Sequence, residues 1–331
     1  MGDETNRTSI SEDVLAYLRS PWLTKFAPAV YTVVFLISLP LNLTAIMIFL
    51  CKIQVKTPAV VFMLNLAVAD ILLVVLMPFE IIYRSSGNHW VMGEGMCRFV
   101  TVVSFCNMNC SILLMTSISV DRFLSVVYPM QSLLWRTVSR AWYVCLFIWM
   151  VSIASAVPLL ISQLTVRIDQ LNITVCYDTT AHKGFETIYF HYFTAYISIF
   201  FLLPFIVTIF CYAGTIRSLS SPKIESTFKK SRSVCLCITV LFEFIICFGP
   251  TNTFFLLNYL NINKPFGDSM YFAYIMSFTI SSISCCLDPV IYYCGSSKFV
   301  KYIYSLVCCG KTEADHKQKD RRLPVFYRAG I

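Results

Sequence analysis

Seven stretches of the chain are apolar around the whole circumference of a helix, and short polar segments separate them. They run at roughly 27–51, 58–83, 95–127, 139–161, 188–216, 233–260 and 270–294, each rich in Leu, Ile, Val, Phe and Ala. A helix on the surface of a soluble protein keeps a polar face at a 3.6-residue period. These segments have none. About 20 helical residues cross a hydrocarbon layer ~30 Å thick, so each stretch predicts one membrane span. The links between them are short, which predicts antiparallel neighbours in a single bundle. The expected fold is all-α: a seven-transmembrane helix bundle.

Hydrophobic residues make up 57% of the 331 and charged residues 13%, which is more apolar surface than one soluble core would bury. The net charge of +8 is informative through its distribution. With the N-terminus outside, the segments 52–56, 136–140, 217–232 and 298 onward fall on the inner side, and they hold most of the basic residues. That asymmetry follows the positive-inside rule, so the basic excess reports topology and implies no nucleic-acid partner.

The flanks divide the chain further. Residues 1–26 form an outer N-terminal segment. Its first 20 residues contain Asp3, Glu4, Glu12 and Asp13 and no apolar core, so the first span is expected to act as its own signal anchor. Residues 27–294 form the bundle. Residues 295–309 alternate apolar and basic positions as a short cytoplasmic amphipathic helix in the membrane interface would. Cys308 and Cys309 at its end are either palmitoylated or inert thiols. Residues 310–331 are polar, with the composition of a disordered tail.

On the outer side, Cys97 and Cys176 are the cysteines that meet an oxidising compartment, and one disulfide is expected between them. The sequons Asn6-Arg7-Thr8 and Asn172-Ile173-Thr174 make Asn6 and Asn172 glycosylation acceptors. Asn42-Leu43-Thr44 matches the same pattern inside a span, out of reach of that modification.

Four charged residues stand out within the spans: Asp70, Arg122, Glu243 and Asp288. Each costs roughly 2.5–3.5 kcal/mol on insertion scales, which makes it a functional hypothesis. Asp70 and Asp288, at comparable depth, could share a cation with the hydroxyls of Ser111 and Ser284. Hard oxygen ligands suit sodium, acting as an allosteric ligand, with no other cofactor expected. The alternative is a carboxyl pair sharing one proton. Glu243 either faces a polar cavity or snorkels to the interface.

Asn42, Leu66, Asp70, Cys97, Asp121-Arg122-Phe123, Trp149, Pro204, Tyr212, Pro250 and Asp288-Pro289-Val290-Ile291-Tyr292 together, in this order, resemble the fingerprint of the rhodopsin-like G-protein-coupled receptors. Within that family, Ser11-Glu12-Asp13, Tyr128-Pro129-Met130-Gln131-Ser132, Trp135-Arg136-Thr137, Leu171-Asn172-Ile173-Thr174, Cys247-Phe248-Gly249-Pro250-Thr251-Asn252 and Ser281-Ser282-Ile283-Ser284-Cys285-Cys286 resemble the protease-activated, thrombin-receptor-like branch. The resemblance covers roughly residues 10–309.

It implies a multi-pass plasma-membrane receptor, not an enzyme, with the N-terminus outside. The implied partners are an extracellular serine protease or a peptide agonist, heterotrimeric G proteins of the Gq and Gi families, and arrestin. In that branch a protease cuts the N-terminal exodomain and the new terminus folds back as a tethered agonist. Here only about 25 residues precede the first span, and Arg7-Thr8 and Arg19-Ser20 are the basic sites among them. A receptor activated in trans, or working as a heterodimer with a partner receptor, is the alternative.

A peptide agonist with a positive terminus needs an acidic group and an aromatic floor. Asp178, two residues beyond Cys176, supplies the acid in this reading. Tyr83, Tyr259, Tyr271 and Tyr274 resemble the tyrosines lining the family's ligand site, and the aromatic belt of the interface is their other explanation. Ser104 stands where amine receptors carry an aspartate, which leaves no counter-ion there for an ammonium ligand. Phosphate clamps are missing from Thr251-Asn252-Thr253-Phe254-Phe255.

For signalling, the expectation is that the sixth span pivots about Pro250 while Phe244, Ile112 and Phe248 repack. Arg122 then leaves Asp121 and meets Tyr212 and Tyr292, with Phe123 and Pro289 completing the two motifs. The segment Lys229-Lys230-Ser231-Arg232 offers Arg122 no acidic latch. A transporter or membrane enzyme would need a broken-helix repeat or a nucleophile with its base, and neither is evident.

Overall fold

The computed structural model describes residues 12–176, 195–220, 227–260 and 267–308. They contain seven helices long and apolar enough to cross a membrane: Trp22–Ile53, Pro58–Ser85, Gly93–Val127, Val138–Ile161, Ala195–Leu219, Ser231–Leu257 and Phe272–Gly295. Each overlaps one predicted stretch. Of their most apolar windows, 72% is buried in the second span and 67% in the third, against 22% in the fourth. The second and third therefore form the centre. The fourth turns Leu146, Phe147, Met150 and Ile153 outward, the arrangement that lipid as a solvent permits.

Prolines mark several of the places where the spans depart from regular helix. Proline lacks a backbone N–H, so the helix before it loses a bond. Wide π turns cover Trp22–Phe26, Ser198–Leu202 and Glu243–Phe248, each ending two residues before a proline, at Pro28, Pro204 and Pro250. Such turns absorb the lost bond in an i→i+5 register. The pivot expected at Pro250 is thus a wide turn whose residues are Glu243 to Phe248. The second span stops at Val74 and resumes at Met77, with Pro78 in the first turn. Pro289 cannot donate to the Cys285 carbonyl, which instead accepts from Ser38 Oγ and Asn42 Nδ2, both at 3.0 Å. Those bonds fasten the first span to the seventh.

Three local features differ from the sequence reading. A helix at Glu12–Arg19 precedes the first span, which begins at Trp22. Its Val14 and Leu18 are buried, its Tyr17 stacks on Phe272 at 4.9 Å, and its Leu18 carbonyl accepts from Asn88 Nδ2 at 2.7 Å. The all-α bundle also carries one small sheet. The link after the fourth span contains two antiparallel strands, β1 (Thr165–Ile168) and β2 (Ile173–Cys176), with Thr165 opposite Cys176. Asn172 sits in the turn between them at φ 52°, its side chain accepting from Arg167 Nη2 at 3.1 Å. Finally, the set of charged residues within the spans is larger than the four singled out, because Glu80 and Arg84 lie within the second span.

The helix Ser297–Cys308 follows the seventh span. Phe299 and Val300 are buried while Lys298 and Lys301 are exposed, so the predicted amphipathic pattern is present. Phe299 packs on Phe49 with ring centres 5.3 Å apart. Asn6, Asp178, Cys309 and the segment 310–331 lie outside the described residues.

Candidate ligand cavity and signalling core

At one end of the bundle, the third span and the hairpin are joined by the Cys97–Cys176 disulfide. Glu94, in the first turn of that span, reinforces the join. Its carboxylate accepts from Leu164 N at 2.8 Å, Thr165 N at 2.9 Å and Arg98 Nε at 2.7 Å, and also from the Thr165 hydroxyl. Tyr83 belongs to the same joint. It is buried, its hydroxyl accepts from Cys176 N at 3.2 Å, and its ring meets Trp90 edge-on. The hydroxyl of Tyr83, expected to face a ligand, here pairs with backbone that would otherwise be buried unpaired.

Below the hairpin lie two cavities. The first, with an empty volume of about 490 Å³ including its open mouth, has Tyr31, Asn107, Phe248 and Ser282 among its lining. The second, about 500 Å³ by the same measure, is lined by Arg84, Phe105, Cys176 and Tyr274 among others. Glu80, Ser104 and Phe278 line both. Tyr274, one of the expected ligand tyrosines, lines the second cavity with its ring tilted against those of Phe255 and Phe278. Tyr259 and Tyr271 lie on the helices Gly249–Leu260 and Gly267–Ser281, and their side chains fall outside the described set. Glu80 escaped the sequence reading, although a Glu-to-Arg pair four residues apart inside a span is a signal that could have found it.

From the cavity a column of rings descends. Phe248 forms part of the cavity lining and meets Phe244 edge-on at 6.4 Å, and Phe244 packs on Phe205 at 5.7 Å. Ile112, Phe244 and Phe248 are all buried. Gly249 suits the wide turn itself, because a Cβ there would lie 3.1 Å from the Phe244 carbonyl oxygen.

Next comes a polar layer. The carboxyls of Asp70 and Asp288 adjoin, with Cys285, Asn107 and Tyr292 around Asp70. Tyr292 Oη lies 3.1 Å from Asn42 Oδ1 and 3.4 Å from Asp70 Oδ2. Asp70 Oδ1, both Asp288 oxygens and Ser111 Oγ are buried with no hydrogen-bond partner among the described residues. Ser111 follows Asn107 by one turn, and Ser284 precedes Asp288 by one, so each pair shares a helix face. Orphaned oxygens of this kind fit a hard monovalent cation. No group of three His, Cys, Asp or Glu side chains suited to a metal ion occurs among the described residues. Glu243 is fully buried and interacts electrostatically with Asp70 and Asp288. It faces this layer and not the interface.

At the far end stands Asp121-Arg122-Phe123. Asp121 does not hold Arg122. Its two oxygens take Arg136 Nε and Nη2, both at 2.8 Å. Arg122 Nη2 donates instead to the Gly295 carbonyl, and Arg232 Nη2 to the Tyr293 carbonyl at 2.9 Å. Both guanidiniums thus sit on the C-terminal carbonyls of the seventh span, the negative end of its dipole. Tyr212 is buried with its hydroxyl 2.6 Å from Ser119 Oγ.

The pattern described as "7 transmembrane receptor (rhodopsin family)" matches residues 41–292. The chain belongs to that family. It is 55% identical over 305 residues to proteinase-activated receptor 1 of Xenopus laevis, covering 92% of this chain and 72% of that one. With the human proteinase-activated receptor 1 it shares 50% over 301 residues, 91% of this chain and 71% of the relative. A purinoceptor of Gallus gallus is more distant, at 37% over 302 residues, 89% and 83% of the two chains.

This G-protein-coupled receptor is accordingly a multi-pass plasma-membrane protein whose partners are heterotrimeric G proteins, and it is not an enzyme. The family's fingerprint positions carry geometry here. Asn42 and Tyr292 meet at the Asp70 layer, and Trp149 Nε1 donates to Asn65 at 3.1 Å, tying the receptor's fourth span to its second.

Proposed function

We propose that this receptor is switched on by a peptide terminus, tethered or free, that a serine protease exposes, in keeping with the activation by a proteinase that its relatives' name gives for them. The observation that carries the reading is the continuous path from the cavities through Phe248 and Phe244 to the wide turn before Pro250. An agonist pressing on Phe248 reaches a helix segment already weakened by a missing hydrogen bond.

In this reading the hairpin and N-terminus are extracellular, and Asn6 and Asn172 are glycosylated. Tyr259, Tyr271 and Asp178 complete the mouth beside Tyr274. A sodium ion held by Asp70, Asp288, Ser111 and Ser284 favours the resting conformer. Outward motion of the sixth span takes Arg232 off the Tyr293 carbonyl and frees Arg122 from Gly295 to meet Tyr212, Tyr292 and a G protein of the Gq or Gi family. Arrestin binds the same opened end. Palmitates on Cys308 and Cys309 anchor the last helix.

Calcium release tests the proposal in cells expressing the receptor, given either a serine protease or a synthetic tether peptide from the Xenopus relative. Responses to both are expected. A receptor that reaches the surface and answers neither contradicts the reading. A response that needs a co-expressed relative with its own tether marks activation in trans within a heterodimer.

A further inference from the structure

Glu80 stands where the second span restarts after its break. Pro78 and Glu80 both lie in the first turn of Met77–Ser85, and Glu80 lines both cavities. Its carboxylate is only partly used. Oε2 lies 3.7 Å from Arg84 Nε, beyond hydrogen-bond length, and has no hydrogen-bond partner among the described residues. Arg84 is engaged elsewhere, donating from Nη1 to Asn88 Oδ1 at 2.9 Å and lying over the Tyr83 ring at 4.7 Å. Around Glu80 the cavity walls carry Tyr31, Phe105, Tyr274 and Phe278. A buried carboxylate oxygen without a donor is costly, and the surrounding aromatic faces favour a cation.

We propose that Glu80 is the receptor's agonist counter-ion, receiving the α-ammonium of the agonist peptide at the wall that the two cavities share. The third span lines the cavities with the uncharged Thr101, Ser104 and Asn107, and the charge missing from it is supplied by the second span. Arg84 acts as the stand-in cation of the empty pocket. The agonist's ammonium completes the oxygen that Arg84 reaches only at 3.7 Å, forming a charge-assisted hydrogen bond. This assignment rests on the peptide-agonist reading above and names the part of the pocket that reads the terminus.

The test is a cycle between receptor and probe in cells expressing the full chain. Two probes are used, the tether peptide of the Xenopus relative with a free amino terminus and the same peptide acetylated. Wild-type receptor is expected to prefer the free terminus by about tenfold in calcium potency. In Glu80→Gln the preference should fall to near one, with the acetylated peptide unaffected, because a double cycle isolates the pairwise contact.

A preference that persists in Glu80→Gln at normal surface level overturns the assignment. A purely structural pair with Arg84 would weaken both peptides equally, and that result overturns it too. Arg84→Gln gives an independent reading, since it keeps the carboxylate and removes its competitor. The preference should then rise severalfold, and an unchanged ratio counts against Glu80. If neither peptide activates the wild type, the functional reading itself fails, which is a distinct outcome.

Discussion

Arg136 holds both carboxylate oxygens of Asp121 at 2.8 Å, although the residue next to Asp121 is Arg122. Asp121 has a side chain only 4% exposed, and that of Arg136 is 21% exposed. The contact is bidentate, the geometry a planar guanidinium favours. Its consequence is that Arg122 is free to rest on the end of the seventh span, where Arg232 also docks. In the proposed switch the latch is therefore made of backbone carbonyls, and no acidic side chain of the sixth span is needed.

Replacing Arg136 by Gln should return Asp121 to its neighbour. Arg122 would then be held by a charged partner in place of a carbonyl, and agonist-driven nucleotide exchange should fall by about tenfold, the effect of roughly one charge-assisted hydrogen bond. Exchange assays on membranes with matched receptor levels measure this. Unchanged or faster exchange would count against competition between the two arginines.

The polar layer predicts an ion effect. Agonist affinity should weaken by about fivefold or more when sodium replaces a bulky organic cation at equal ionic strength, a coupling of ordinary allosteric size. Asp70→Asn should abolish the difference. Dependence on sodium that survives this substitution in a binding assay removes the carboxyl pair as the ion's site.

Glu94→Gln should loosen the hairpin. Its carboxylate accepts from two backbone N–H groups, Arg98 and the Thr165 hydroxyl, and an amide turns one of those acceptors into a donor. Losing a charged acceptor of this kind costs about 2 kcal/mol, so the thermal midpoint of the detergent-solubilised receptor should drop by about 5 °C. A midpoint equal to wild type would show that the disulfide and the Tyr83 contact hold the hairpin without Glu94.

Gly214 faces Phe123 so closely that an added Cβ would run into the ring, which is also packed against Tyr128 and Phe210. Gly214→Ala should destabilise the receptor by about 1–3 kcal/mol through overpacking. Adding Phe123→Leu should restore most of that loss. Equal stability of the single variant and wild type, by thermal unfolding, would mean the ring moves aside without cost.

Much of this receptor was legible before any fold was known. Apolar runs of about 20 residues have few solutions in lipid, because every backbone group must be paired within the segment, so the spans Trp22–Ile53 to Phe272–Gly295 follow from composition alone. The Cys97–Cys176 bridge, the amphipathic helix and the meeting of Asp70 with Asp288 were likewise predictable from where each residue type is tolerated.

The partners of long polar side chains were not predictable. Asp121 could reach Arg122 or Arg136, Tyr83 could face a ligand or the hairpin, and Glu80 could be a surface ion or a pocket wall. Each choice depends on how helices separated by many residues pack side by side, and on where Pro78, Pro250 and Pro289 release backbone groups for others to claim. Sequence alone determined the seven spans and the chemistry carried at each depth. Only the tertiary structure decided which charge meets which, because that is set by distances through space that hydrophobic pattern does not encode.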